Sequence, residues 1–149
     1  RGHNGSPFRQ ALLHDSGLCR RYTVAGLQPQ SVAASHLSFL DDHRGRYVWR
    51  GNVSAQAIPS LYAESEHAIL ATFDVDAVDA AWAPGVSTPT VGGISNEVWL
   101  AAAYQAGRSS RVHSFDLCEV NPVYDVDGRT ARLAAVTVWN LLRGLAERE

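Results

Sequence analysis

The chain has 149 residues, of which 46% are hydrophobic, and its formal net charge at pH 7 is −2. That length allows one domain with a sizeable core, and the composition argues against a disordered chain. The thirteen basic residues are all arginine and lie scattered along the sequence, so no basic stripe predicts nucleic-acid binding. The apolar stretches are too short to form a membrane-spanning helix.

The hydrophobic pattern predicts alternating strands and helices. In chain order these are a strand at 21–27, a helix at 31–42, a strand at 47–49, a weaker helix at 54–64, a strand at 67–76, a helix from Ser95 to about Gly107, a strand at 112–120 and a helix that starts at Asp127 or Thr130. Such alternation is typical of an α/β fold with a mainly parallel sheet and helices on both faces. The last helix carries one broad apolar stripe, made of Leu133, Val136, Val138, Trp139, Leu142 and Leu145.

Two aspartates at the end of the 67–76 strand are the strongest chemical signal. Side chains alternate along a strand, so Asp74 and Asp76 are expected on one face. Two neighbouring carboxylates repel each other, and a divalent cation is a common way to keep such a pair ionised. The bland alternative is a solvated strand end, and Asp79, three residues on, is better interpreted as a turn residue.

A second strand brings another acid to the same edge. Ligands of open parallel sheets bind beyond the carboxyl ends of the strands, and Glu119 falls at such an end, as Asp74 and Asp76 do. The connection at 79–93 is long and rich in Pro and Gly. A connection of this length is typical of a functional loop.

Cys19 and Cys118 are far apart and lack metal-ligand spacing. We expect free, reduced thiols in a cytoplasmic protein, with Cys118 buried and inert. Core packing is likewise expected for Trp49, Trp99 and Trp139, whereas Trp82 lies in the loop. The sequence contains no methionine, which suggests that Arg1 is not a native N-terminus.

Several segments, in order and spacing, resemble the ureohydrolases, the family of arginase, agmatinase, guanidinobutyrase and formimidoylglutamase. They are GSPFRQ at 5–10, TFDVD at 72–76, PGVSTPTVGGIS at 84–95, EVNP at 119–122 and DGRTARLAA at 127–135. The resemblance implies a three-layer α/β/α fold with a mainly parallel sheet, and hydrolysis of a linear amidine or guanidine by a hydroxide bound to two Mn²⁺ ions.

The resemblance also implies roles for individual residues. Asp74 would bridge the two metals, Asp76 would hold one of them, and Glu119 would accept hydrogen bonds from the cationic substrate. The other residues implied at the substrate are Asn4, Thr88 and Arg9, with His3 as a catalytic proton carrier. The string Pro-Phe-Arg-Gln is similar to formimidoylglutamase, and Arg9 would favour a substrate that bears carboxylates. The alternative for Arg9 is a surface or interface position.

One departure from the family is large. The GG-D-H and DxHxD segments, which supply most of the metal ligands, do not occur in this sequence. We therefore expect residues 1–149 to be the C-terminal part of a single ureohydrolase domain, inactive alone, whose partners are the missing N-terminal half, further copies in a homo-oligomer and a small-molecule substrate.

The expected reaction of the parent is hydrolysis of N-formimidoyl-L-glutamate to L-glutamate and formamide. The alternatives are another ureohydrolase that releases urea, or an inactive structural or proteolytic fragment. A phosphatase of the haloacid-dehalogenase type, which has a DxDx[TV] motif, ranks below these because the chain has no lysine.

Overall fold

A computed structural model describes residues 6–148. The chain divides into two compact units, Arg1–Arg50 and Gly51–Glu149. Within the described residues, no helix is both long and apolar enough to cross a membrane.

The first unit contains two helices and a parallel pair of strands. Its elements are α1 (Pro7–Leu13), β1 (Thr23–Leu27), α2 (Ala34–Asp42) and β2 (Arg46–Trp49), and β1 pairs with β2 in parallel. The sequence pattern predicted β1, α2 and β2 but missed α1, which begins at a proline. Proline suits the first turn of a helix because its missing N–H would have no partner there.

The second unit holds the remaining elements. They are α3 (Ile58–Ala63), β3 (Ile69–Asp74), α4 (Asn96–Arg108), β4 (Val112–Cys118) and α5 (Arg129–Ala146), with a short 3₁₀ turn at Val75–Ala77. Another 3₁₀ turn, Arg50–Asn52, begins at the last residue of the first unit. All five were predicted to within a few residues at most ends. The start of α4 follows from Ser95, whose hydroxyl accepts a hydrogen bond from the amide of Val98 at 3.5 Å.

Strand β3 is central to the core of this unit. It pairs in parallel with β4, so both strands end at the same edge, where Asp74 lies opposite Cys118. Phe73 is buried and its ring packs against Trp99 of α4 at 5.0 Å and Phe115 of β4 at 4.8 Å between centroids. The parallel pairing predicted from the strand and helix alternation is confirmed for β1–β2 and β3–β4.

Helices α4 and α5 approach each other closely through two glycines. A Cβ atom on Gly107 of α4 would collide with the carbonyl oxygen of Leu141, and one on Gly144 of α5 would collide with the carbonyl oxygen of Tyr104. Between the same helices, the indole N–H of Trp99 donates to the hydroxyl of Thr137 at 2.8 Å. Small and polar residues therefore form the contact.

The apolar stripe of α5 is not the face that α5 buries. The buried residues of α5 are Thr130, Thr137, Asn140 and Gly144, whereas Trp139 is 57% exposed and Leu142 is 55% exposed. The expected core positions of Trp139 and of Cys118, which is also exposed, are therefore wrong. The close approach of two glycine-bearing backbones selects the buried face of α5, and hydrophobic periodicity does not detect that contact.

The Trp99–Thr137 hydrogen bond gives a direct test of the helix contact. Trp99→Phe keeps an aromatic ring against Phe73 but removes the indole N–H that donates to the buried hydroxyl of Thr137. The free energy of unfolding should therefore fall by about 1–2 kcal/mol. Urea unfolding measures it. Trp82→Phe is the matched control because Trp82 is 46% exposed, and an equal loss in both variants would contradict the buried hydrogen bond.

Candidate metal and substrate site

Asp74 and Asp76 lie where β3 gives way to a single 3₁₀ turn. Asp74 is the last residue of the strand, and Val75–Ala77 form the turn. The carboxylate of Asp74 accepts a hydrogen bond from the amide of Asp76 at 2.9 Å. The prediction that the strand continues to Asp76 is therefore wrong, and the two carboxylates come together through this turn rather than through strand alternation.

The Asp76 carboxylate has one oxygen suited to a cation. Its Oδ1 atom is buried and has no hydrogen-bond partner. The amide and the hydroxyl of Thr88 hydrogen-bond the same carboxylate and lower its pKa, but burial and the charges of Asp74 and Glu119 outweigh them and raise it to about 6. A buried acceptor without a donor lowers the stability of the fold. Carboxylate oxygens are ligands that suit a hard divalent cation, so a bound cation would satisfy this atom.

The pKa of Asp74 is raised as well. The residue is exposed by surface area, yet nearby protein atoms still desolvate its carboxylate, and this desolvation, with a smaller contribution from Glu119, raises its pKa against the hydrogen bond from Asp76. The donor set fits a cation such as Mn²⁺. It is a partial set, because within residues 6–148 no three His, Cys, Asp or Glu side chains are grouped so that they could hold a metal ion.

Glu119 follows β4 in a conformation that is unusual for its residue type. Its φ of 71° lies in the left-handed region, which a side chain with a Cβ atom rarely adopts. Its charge raises the pKa values of Asp74 and Asp76 and, behind burial, contributes to raising that of the Cys118 thiol to about 11. Backbone strain of this kind is concentrated at functional sites.

Thr88 reaches Asp76 from the long connection between β3 and α4. That connection is tied to the segment after Glu119, because Asn121 Nδ2 donates to Ser87 Oγ at 2.9 Å and the Asn121 amide donates to the carbonyl of Gly85 at 2.8 Å. The structure thus brings together four residues selected from the sequence: Asp74, Asp76, Thr88 and Glu119. Asn121 was part of the matched EVNP segment, but its side chain was not singled out.

A second anchor of the loop was missed from the sequence. The hydroxyl of Thr130 accepts a hydrogen bond from the Gly85 amide at 2.8 Å, and the Asp125 carboxylate accepts from the amides of Thr130 and Ala131, both at 2.9 Å. Asp125 thereby caps the start of α5. The sequence gives only a weak signal for this cap, because Asp125 lies four residues before the first residue of α5 and Asp127 could equally serve.

Three other residues were selected from the sequence: Arg9, His3 and Asn4. Arg9 lies on α1 in the first unit, where its guanidinium carbon is 5.4 Å from the centroid of the Phe39 ring. A cation above an aromatic face is stabilised in place. His3 and Asn4 lie outside the described residues.

The raised pKa of Asp76 predicts how the metal-free protein responds to pH. A carboxyl whose folded pKa of about 6 exceeds its ordinary value of 3.8 binds protons more tightly when folded, so it stabilises the fold at low pH and loses that effect as pH rises through 6. Asp74 acts in the same direction. Asp125 and Asp127 have lowered pKa values. Their effect on stability has the opposite sign, but it lies at pH values below the ordinary pKa of an aspartate.

Thermal unfolding in EDTA between about pH 4 and 7 measures this effect. The melting temperature of the unmodified chain should fall with rising pH relative to that of Asp76→Asn, which cannot titrate at this position. Both proteins share every histidine, so the difference isolates the carboxyl. Parallel profiles would show that Asp76 titrates normally.

The sequence matches the family model described as "Arginase family" over residues 1–143. The chain belongs to the arginase family. It is 35% identical over 147 residues to the formimidoylglutamase of Halobacterium salinarum, covering 95% of this chain and 47% of that protein. It is 30% identical over 145 residues to the formimidoylglutamase of Staphylococcus carnosus, covering 93% and 46% respectively. The chain spans about half the length of the curated relatives it matches.

A solved structure agrees with these relatives. A crystal structure of Trypanosoma cruzi formiminoglutamase with Mn²⁺ is similar over 100% of this chain and 51% of that chain, with a TM-score of 0.93 and 28% sequence identity. The predicted α/β, arginase-like fold class is confirmed by this similarity and by the family match. The resemblance to ureohydrolases is confirmed as well, with formimidoylglutamases among the relatives.

Proposed function

We propose that this chain carries part of the dimanganese site of a ureohydrolase that hydrolyses N-formimidoyl-L-glutamate to L-glutamate and formamide. The observation that carries the proposal is the carboxylate pair Asp74 and Asp76, with Asp76 Oδ1 buried and unpaired and with Glu119 close enough to raise both pKa values. Formimidoylglutamases among the relatives support this substrate.

Asp74 and Asp76 would hold manganese, with Asp74 shared by two ions. When bound, Mn²⁺ lowers the pKa of water in its coordination shell and so makes a strong nucleophile available at neutral pH. Hydrolysis requires such a nucleophile because an amidine carbon is a poor electrophile. The protein's contribution is to hold the two adjacent carboxylates in place, and the bound cations would keep them ionised despite their raised pKa values. The turn hydrogen bond from the Asp76 amide fixes Asp74, and Thr88 fixes one side of Asp76.

Glu119 would bind the charged end of the substrate. A carboxylate can accept two parallel N–H hydrogen bonds from an amidinium group, which orients the carbon to be attacked. The left-handed backbone at Glu119 supports this role, since an ordinary strand continuation would avoid that strain. Thr88 and Asn4 are proposed as further substrate contacts, and His3 as a proton carrier.

Arg9 is proposed to recognise the acidic part of the substrate. Formimidoylglutamate carries two carboxylates and agmatine carries none, so an arginine that meets the substrate discriminates between them by charge. A bidentate guanidinium–carboxylate contact would add orientation to that preference.

The rest of the site is proposed to come from outside this chain. We infer that residues 1–149 correspond to the C-terminal part of a ureohydrolase domain whose other metal ligands lie in an N-terminal half, and that the chain alone is inactive. The complete enzyme is proposed to be a cytoplasmic homo-oligomer that acts on small molecules.

The test uses the complete polypeptide that the gene encodes, loaded with Mn²⁺. Formimidoylglutamate, arginine, guanidinobutyrate and agmatine are offered in parallel, and formamide and urea are measured. Turnover of formimidoylglutamate with release of formamide is the expected result. Release of urea from another substrate would favour a different ureohydrolase, and no turnover of any of the four would overturn the proposal.

A further inference from the structure

The 79–93 loop is closed at its base by main-chain hydrogen bonds. The amide of Asp79 donates to the carbonyl of Ile94 at 2.9 Å, and the amide of Ile94 donates to the carbonyl of Ala77 at 2.8 Å. A third bond joins the amide of Ala80 to the carbonyl of Thr90 at 2.8 Å. The two ends of the loop therefore run side by side where they leave β3 and enter α4.

The Asp79 carboxylate ties the same two ends together. Its Oδ1 accepts from the amide of Ala81 at 2.9 Å, which is an ordinary turn contact, as the sequence predicted. Its Oδ2 accepts from the amide of Gly92 at 2.7 Å, thirteen residues further along the chain. Hydrogen bonds to an ionised acceptor are stronger than neutral ones, so one side chain holds both ends of the loop.

The two backbone segments at the base of the loop lie too close together to admit a side chain at Gly93. A Cβ atom on Gly93 would lie 2.5 Å from the amide nitrogen of Asp79 and 2.6 Å from the carbonyl carbon of Val78. Gly92 has a φ of 74°, which glycine adopts without strain. Both glycines are therefore required for the backbone to pass close enough to Asp79 for its carboxylate to reach the Gly92 amide.

Between these two ends, the loop presents Thr88 to the Asp76 carboxylate. The loop is held on its other side by Asn121 and Thr130, which bind Ser87 and Gly85. Those contacts precede Thr88 in the chain, whereas Gly92 follows it. Thr88 is thus held between two anchored points, and the Asp79 carboxylate shares the second of them with the main-chain bond from Ala80 to Thr90.

We propose that Asp79 is a positioning residue, which closes the loop at Gly92 so that Thr88 stays on Asp76 and leaves Asp76 Oδ1 for a cation. The consequence for metal binding rests on the proposed function. The positional consequence does not, because it concerns hydrogen bonds within the loop alone.

The substitution Asp79→Asn tests whether Asp79 positions the loop or only forms a local turn. Asp79→Asn preserves shape but has one acceptor oxygen in place of two, so it can accept from the amide of Ala81 or from that of Gly92 but not from both. We expect it to keep the local turn with Ala81 and to lose the Gly92 contact. The exchange rates of the Ala81 and Gly92 amides show directly which contact is kept.

The experiment measures amide hydrogen exchange by NMR in the metal-free chain. In Asp79→Asn, the amides of Gly92 and Thr88 should exchange roughly tenfold faster or more, while those of α4 and α5 remain unchanged. Asp116→Asn is the control, since it removes an equal charge from the exposed face of β4. Asp79→Glu retains the charge on a longer side chain, and intermediate protection is expected; it also serves if Asp79→Asn does not fold.

Unchanged protection of the Thr88 amide in a folded Asp79 variant would overturn the proposal. So would equal acceleration throughout α4 and α5, since that result indicates general destabilisation. Titration of the complete polypeptide with Mn²⁺ alone then addresses the metal: roughly tenfold weaker binding in Asp79→Asn than in Asp116→Asn is expected. If the complete unmodified polypeptide binds no Mn²⁺, the metal assignment fails, and the amide measurement still decides whether Asp79 positions Thr88.

Discussion

Gly107→Val is expected to lower the free energy of unfolding by about 3 kcal/mol or more. The Cβ atom alone would collide with the carbonyl oxygen of Leu141 and would lie 2.8 Å from the amide nitrogen of Leu145. Both are main-chain atoms, so no side chain can rotate away, and α4 and α5 would have to separate. Separation would also break the hydrogen bond between Trp99 and Thr137.

Urea unfolding followed by circular dichroism measures this loss, which would be a large fraction of the roughly 5–15 kcal/mol that stabilises a typical domain. Gly51→Ala is the matched control, because a Cβ atom there would meet nothing within 4 Å. A Gly107→Val protein that unfolds at the same urea concentration as the unmodified chain would show that the two helices are not in main-chain contact.

The elements that the sequence predicts well are those whose pattern reflects their burial. Strand β3 combines an apolar run with Ala71 and Phe73 buried on one face, and α4 has a serine cap and buries Trp99. In both, local preference and tertiary contact agree, which is the condition under which a sequence pattern specifies a structure.

Helix α5 shows why the same reasoning fails elsewhere. Its apolar stripe predicted a buried face, but the contact with α4 is made through Thr137 and Gly144 instead. Periodicity identifies a stripe and cannot identify the partner helix. Here the partner presents Gly107, and two glycines allow a main-chain approach that bulky apolar residues would prevent.

The candidate site was predicted for a partly incorrect reason. Strand alternation placed Asp74 and Asp76 together, whereas the structure joins them by a side chain to main chain hydrogen bond in a turn. Aspartate makes such turns readily, so both conformations suit the same two residues. The left-handed backbone of Glu119 could not be anticipated, because glutamate has no preference for it.

The loop anchors illustrate a further limit of sequence reasoning. Gly85 and Thr130 are 45 residues apart in the chain and meet in one hydrogen bond. Each residue alone is an ordinary loop glycine or helix-start threonine. Only the parallel arrangement of β3 and β4, which brings the segments after both strands to one edge, makes their contact and the position of Thr88 intelligible.

Asp74→Asn is expected to change metal affinity and metal-free stability in opposite directions. In the complete polypeptide, loss of a ligand charge should weaken Mn²⁺ binding by about a hundredfold or more. The carbonyl oxygen of asparagine can still accept the hydrogen bond from the Asp76 amide, so the turn is preserved. In EDTA at pH 7, the variant should melt at a higher temperature, because a partly desolvated charge and its repulsion of Asp76 are both removed.

Calorimetric titration with Mn²⁺ and thermal unfolding in EDTA measure the two effects on the same preparations of the complete polypeptide. Asp116→Asn controls for the change in net charge and should alter neither quantity appreciably. The opposite signs are what distinguish a metal ligand from a structural aspartate, since a carboxylate that only stabilises the fold would lower the melting temperature when replaced. Unchanged Mn²⁺ affinity together with a lower melting temperature would show that Asp74 is held for stability, and that the carboxylate pair is a solvated strand end rather than part of a metal site.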